Sequence, residues 1–344
     1  MPYDRPMFAT LHGAYPHPPV DPADPAAVDQ AVAEVLQAQV AAGLTLLTDG
    51  GLRSPDLLSA TVAGLAGIEL EPGIAPRVVD LPEWRGPALV DGWRRTAGQT
   101  DLPVKARLVG PYTLGKRIKG GVGFDRHRLT LAFALALRAE MAALDGAGCP
   151  FVQIEEDAAV EIGLDQDEQA LFREAQASLL DGLPDAASGF HRSLAISGGN
   201  ADLAGPSTFF EAPYESHFFD LIQGPDNWRL ITRAPKERGI VCGAVDAVNP
   251  RIDDKELVVW AASYAASGGR GYERVGVAPA GSLAGLDPLV ARRKIEVLGT
   301  SARIVEARDE TPIQAQLDPR AVDSRSAATG RWTRPSDLPP RRRP

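Results

Sequence analysis

Three consecutive acids, Glu155, Glu156 and Asp157, close the stretch FVQIEED (residues 151–157) directly after a short apolar run. Like charges side by side repel, so the pattern asks for a reason. Acids at a strand end can face water. A carboxylate there can also hold a substrate amine or move a proton. Side chains alternate along a strand, so only one of Glu155 and Glu156 points straight into a pocket. Both are candidate catalytic acids. Glu155 is expected to face the pocket and Glu156 the helix layer, where it needs a cationic or backbone partner. Asp157 reads as a solvent-facing or capping acid.

Other polar residues sit at comparable positions. Arg53 in GLRSPD can clamp an anion or pair with Asp56. His12 ends the first apolar run and is a candidate binding residue. Asn200 and Asp246 follow later runs, where turn chemistry explains them as well as ligand binding does. Lys105 lies near the start of its run and reads as structural, as do His191 and His217. The glycines at 50–51, 198–199 and 281 mark tight turns. No Gly-Lys-Ser/Thr follows them, so they form no phosphate loop.

These residues need a scaffold, and the chain alternates short apolar runs with helical patterns almost throughout. The runs are 7–14, 44–51, 104–111, 151–157, 193–199, 217–223, 239–246 and 274–282. Between them, Leu129, Phe133, Leu137, Met141 and Leu144 recur at spacings of four and three, one apolar stripe on a helix. Residues 24–42, 166–181, 254–266 and 286–307 read similarly. Eight strands alternating with helices predict an α/β fold, a (β/α)8 TIM barrel. The barrel forms a single domain over 1–315, with an excursion between strands 2 and 3 at 67–103. In such a barrel the polar run ends are C-terminal strand ends, where active sites are built. Residues 316–344 read as a disordered Arg/Pro-rich tail.

Composition excludes several functions. The chain carries −9 and its last 25 residues +5, so residues 1–319 carry −14, unsuited to phosphate backbones. We therefore expect no nucleic-acid partner. Two cysteines, Cys149 and Cys242, make no disulfide framework and fit a reducing cytoplasm. No apolar run approaches the roughly 18–20 residues of a membrane span, and the first residues lack a signal-peptide pattern. A cytoplasmic protein with a small-molecule substrate is the expectation; a homo-oligomer or a partner subunit stays open.

In order and spacing, the run ends resemble the C-terminal barrel of cobalamin-independent methionine synthase. Against the family's Gly-Ser-Phe/Tyr-Pro turn stands HGAYPHP (12–18), and against its Asp/His-Gly-Glu followed by Arg and Asp stands TDGGLRSPD (48–56). VGPYTLG (109–115) is similar to its Gly-Pro-x-Thr turn and VQIEEDA (152–158) to Ile-Gln-Ile-Asp-Glu-Pro. GGN (198–200), CGAVDAVNPRID (242–253) and VAPAGSLAGL (277–286) follow in register. The resemblance implies a substrate pocket touching His12, Ala14, Tyr15, Gly51, Arg53, Asn200, Asp246 and Gly281. It also locates departures. The family's pocket serine and glutamate are here Ala14 and Gly51, and its aspartate is Glu155. The zinc His-x-Cys pair falls on Ala195 and Ser197, or on His191 and Ser193, and the second zinc cysteine on Gly281. Gln223, Leu221 or Asp220 stands for the zinc glutamate. The expectation is a divergent enzyme using zinc-independent acid–base chemistry on a small polar substrate, not homocysteine methylation. No metal or other cofactor is expected, although folate-linked one-carbon transfer to another acceptor remains an alternative. A non-catalytic binding or partner subunit is a second alternative.

Overall fold

The computed structural model describes residues 7–71, 73–120, 124–184 and 188–307. The expected tail, 316–344, lies outside the described residues. The chain begins with β1 (Met7–Ala9), α1 (Pro25–Ala42), α2 (Leu57–Val62), β2 (Leu65–Glu69), β3 (Arg77–Trp84) and α3 (Val90–Ala97). Then come β4 (Ala106–Val109), α4 (Pro111–Arg117), β5 (Lys119–Gly120), α5 (Arg126–Gly146), β6 (Phe151–Glu155) and α6 (Gln166–Leu180). The remainder is β7 (His191–Ile196), α7 (Pro206–Phe210), β8 (Ser216–Asp220), α8 (Trp228–Arg233), β9 (Gly239–Val245), α9 (Lys255–Ala266), β10 (Val275–Pro279) and α10 (Pro288–Glu306).

Local chemistry sets the helix starts. Asp24, Asp165 and Asp287 each accept two backbone N–H groups at an N-cap, and Pro25 and Pro288 supply the preset φ of a first turn. The α5 stripe expected from its spacing is buried at Leu129, Phe133, Leu137, Met141 and Leu144.

Seven strands form one sheet in the order β1-β10-β9-β8-β7-β6-β4, every neighbour parallel. One face packs on the helices. The other face gathers Phe8, Leu46, Phe151, Ala195, Phe218, Val241 and Ala278 into a cluster of its own. Side chains from the β1 edge, from β6 near the other edge and from the strands between meet there, so the sheet is curled around them. The run 44–51 forms no long strand, yet its Leu46 bridges Thr10 and its Leu47 bridges Val104, both in parallel. The excursion carries the antiparallel pair β2–β3, to which β5 adds a parallel edge. Glu140 of α5 fastens it down by accepting the Trp84 indole N–H at 3.0 Å and the Leu89 N–H at 2.8 Å.

Candidate functional site

Register across β4 and β6 assembles the polar interior. Arg107 lies opposite Gln153 and Val109 opposite Glu155, so alternation brings Lys105, Arg107, Gln153 and Glu155 to the concave face. Arg107 grips Glu155 at both oxygens, with Nε to Oε1 at 2.6 Å and Nη2 to Oε2 at 3.2 Å. Its Nη1 donates to the Gly13 carbonyl at 3.2 Å. Gln153 Nε2 donates to Glu155 Oε1 and meets His12 Nδ1, each at 2.8 Å. Gln153 Oε1 accepts from Lys105 Nζ at 2.7 Å, and the same amine donates to the Leu11 carbonyl at 2.6 Å. His12 stacks on Phe218 with centroids 4.1 Å apart. Five side chains thus form one connected network.

Their charges follow from burial and proximity. Burial opposes ionisation of Glu155, but the positive charge of Arg107, with help from His12 and Lys105, holds its pKa at about 2. It stays a carboxylate at every physiological pH. Burial lowers His12 to about 4, leaving a neutral ring whose Nδ1 accepts from Gln153. Burial, reinforced by repulsion from Arg107, lowers the Lys105 amine to about 7 despite the pull of Glu155. Of these groups, Lys105 has its proton most evenly balanced at neutral pH.

Glu156 sits on the opposite side, fully buried. Its oxygens accept the backbone N–H of Tyr112 at 3.1 Å and of Thr113 at 2.7 Å, and the Gln176 amide at 2.6 Å. Burial outweighs these donors and raises its pKa to about 7. It braces the start of α4 against α6 and has no access to the concave face. The backbone partner expected for it is therefore the N-terminus of α4.

The remaining candidates divide into two groups. Ala14, Tyr15 and Gly51 form the contact between the first two run ends, where Tyr15 N–H donates to the Gly50 carbonyl at 2.9 Å. Gly51 has φ +80°, and a Cβ there would meet Ala14 Cβ at 2.9 Å and Arg107 Nη1 at 4.0 Å. This corner borders Arg107, close to His12 and Glu155. Ser282, beside Gly281, closes it by accepting the Ala14 N–H at 3.3 Å. Asn200 ties its loop to the one after β8, and Asp246 is taken up by its own loop. Asn200 accepts the Asp226 N–H, while Asp246 accepts those of Val248 and Asn249.

Two expectations need correction. Arg53 does not pair with Asp56, whose carboxylate caps α2. Its guanidinium meets Asp29 of α1 at 2.6 Å and Thr96 of α3 at 2.8 Å, because the excursion folds back beside it. Lys105 is not remote from the other polar groups, since its long stem carries the amine to Gln153. Arg107 and Gln153 were not foreseen. The available signal was alternation, as 105 and 107 repeat the same-face spacing of 153 and 155. A cavity of about 100 Å³ lies beside this corner, lined by Asp49, Gly51, Arg53, Thr96, Lys105 and Arg107 among others.

Among the described residues no group of three or more His, Cys, Asp or Glu side chains could hold a metal ion. Ala195 is a buried strand residue, Gly281 offers no side chain, and Asp220 accepts the N–H groups of Gly198, Ile222 and Gln223. Burial raises both thiols, Cys149 and Cys242, to about 12, which disfavours thiolates.

Residues 75–181 match the family described as cobalamin-independent synthase, catalytic domain. A 5-methyltetrahydropteroyltriglutamate–homocysteine methyltransferase from Synechococcus sp. (strain JA-2-3B'a(2-13)) is 32% identical over 144 residues, 39% of this chain. That match spans only 19% of the relative's length. A glucans biosynthesis glucosyltransferase H from Pseudomonas savastanoi pv. phaseolicola is 35% identical over 128 residues, 14% of its length. A B12-independent methionine synthase from Shewanella sp. W3-18-1, solved with selenomethionine, superposes with TM-score 0.70 at 17% identity, covering 88% of this chain and 98% of that one. A methyltransferase from Methanosarcina mazei gives 0.59 at 16%, covering 88% and 95%. At such identities the structural likeness is one of fold. Over 75–181 the chain is similar to the cobalamin-independent synthases, and the fold it shares with a B12-independent methionine synthase extends over 88% of it.

Proposed function

We propose that the chain is an enzyme that performs acid–base chemistry on a small polar substrate, without zinc and without methylating homocysteine. The scaffold for this is a closed (β/α)8 barrel, the segment bridged at Leu46 and Leu47 serving as its second strand. The observation that carries the reading is the connected polar group Lys105–Gln153–His12–Glu155–Arg107 on the concave face of the sheet. Glu155, held ionised by Arg107, is a poor proton shuttle near pH 7 and instead fixes the guanidinium. Proton transfer falls to Lys105, since a general base works best with a pKa near the operating pH. Gln153 orients both. Glu156 supports α4 and takes no part in the chemistry.

The donor set supports the zinc-free reading, because alanine, serine and glycine occupy the expected ligand positions. The main rival is folate-linked methyl transfer, favoured by the 144-residue likeness to a homocysteine methyltransferase. The test is incubation of the purified protein with 5-methyltetrahydropteroyltriglutamate and homocysteine, with and without added zinc. No methionine is expected in either arm. Methionine formation stimulated by zinc would replace this reading with the rival.

A further inference from the structure

The cavity beside Gly51 has its own chemistry. Three of its lining residues are basic, Arg53, Lys105 and Arg107, against one acid, Asp49. Asp49 is turned to its own loop, accepting the N–H groups of Gly51 at 2.9 Å and Arg53 at 3.1 Å. Each guanidinium is backed by a carboxylate that does not line the cavity. Asp29 holds Arg53 and Glu155 holds Arg107, both at 2.6 Å. Such backing fixes both cations in place, and they line the cavity while the balancing carboxylates do not. Both side chains are nearly buried, 9% and 11% exposed, so water screens them little. Gly51 keeps the approach to Arg107 Nη1 open, and its φ of +80° disfavours a larger residue.

From this lining we infer that the cavity binds a small oxyanionic group, carboxylate or phosphate, between Arg53 and Arg107, as the charged head of the substrate. The inference rests on the reading above for the word substrate, but the binding itself does not. Glu155 takes the Nε and Nη2 edge of Arg107, so an oxyanion is met at the Nη1 side of that guanidinium, and a volume of about 100 Å³ admits a head of a few atoms. Thr96, whose hydroxyl accepts from Arg53 Nε at 2.8 Å and donates to the Gly92 carbonyl at 2.9 Å, lines the same space and steadies Arg53.

Isothermal titration with acetate, inorganic phosphate and methylammonium tests the assignment on the full chain. Acetate, phosphate or both should bind, and methylammonium should not; which anion binds tells the two head groups apart. Arg107→Met should weaken the anion at least tenfold. Glu155→Gln should tighten it, because it removes the negative charge behind Arg107 and keeps a hydrogen-bonding head. If Arg107→Met fails to fold, Glu155→Gln and Arg53→Met still decide, the latter expected to weaken binding. Binding of methylammonium, no anion binding, or weaker anion binding in Glu155→Gln would each overturn the inference. None of these bears on homocysteine methylation, so the two readings fail separately.

Discussion

Replacing Glu155 and Glu156 by glutamine, one at a time, should produce opposite pH dependences from adjacent positions. Glu155 titrates at about 2 in the folded protein, against an ordinary 4.5. Between those values the unfolded chain binds more protons, so its contribution is complete above pH 4.5 and is lost as pH falls toward 2. At about 1.4 kcal/mol per pH unit, that is on the order of 3 kcal/mol. Glu156 titrates at about 7 against the same 4.5, and there the folded protein binds more protons. Its contribution is complete below pH 4.5 and declines as pH rises to 7, again by on the order of 3 kcal/mol. Glutamine does not titrate. The stability of wild type relative to Glu155→Gln should therefore grow from pH 2 to 4.5. Relative to Glu156→Gln it should shrink from pH 4.5 to 7. Each variant also carries a constant offset, from an unpaired Arg107 or from an amide facing three N–H donors. Those offsets displace the curves without changing their slopes. Urea unfolding followed by circular dichroism from pH 3 to 8, at fixed ionic strength, measures both. A flat Glu156→Gln difference between pH 4.5 and 7 would refute the reasoning, by showing that the three donors at Glu156 outweigh its burial.

Lys105→Met should flatten the rise in stability that a depressed amine contributes between pH 7 and 10.5, where the unfolded chain binds the extra proton; urea unfolding at pH 7 and 9.5 checks it. Glu140→Ala strands the N–H groups of Trp84, Ala88 and Leu89, and should cost about 2–3 kcal/mol in the same assay. Gly110→Ala would drive a methyl group into the Glu156 carboxyl and should cost about 1–3 kcal/mol, although its φ of −75° suits alanine; an unchanged melting temperature would show that Glu156 can move aside.

Local order is what the amino-acid sequence determines here. The caps at Asp24, Asp165 and Asp287, the α5 stripe and the apolar runs all depend on neighbours within a few residues. So does the orientation of the two glutamates, because a strand turns successive side chains to opposite faces whatever lies beyond. Partnership was decided elsewhere. Arg107 and Glu155 are 48 residues apart, and they meet because β4 and β6 pair in parallel in one particular register. Arg53 bonds Asp29 rather than the nearer Asp56 because Asp56 already serves the first turn of α2, while α1 and α3 converge on the guanidinium. The charge states are equally non-local. Lys105 and Glu156 owe their displaced pKa values first to burial, and burial belongs to the packed molecule; the bare sequence could name the acids and bases but not which of them keep their protons.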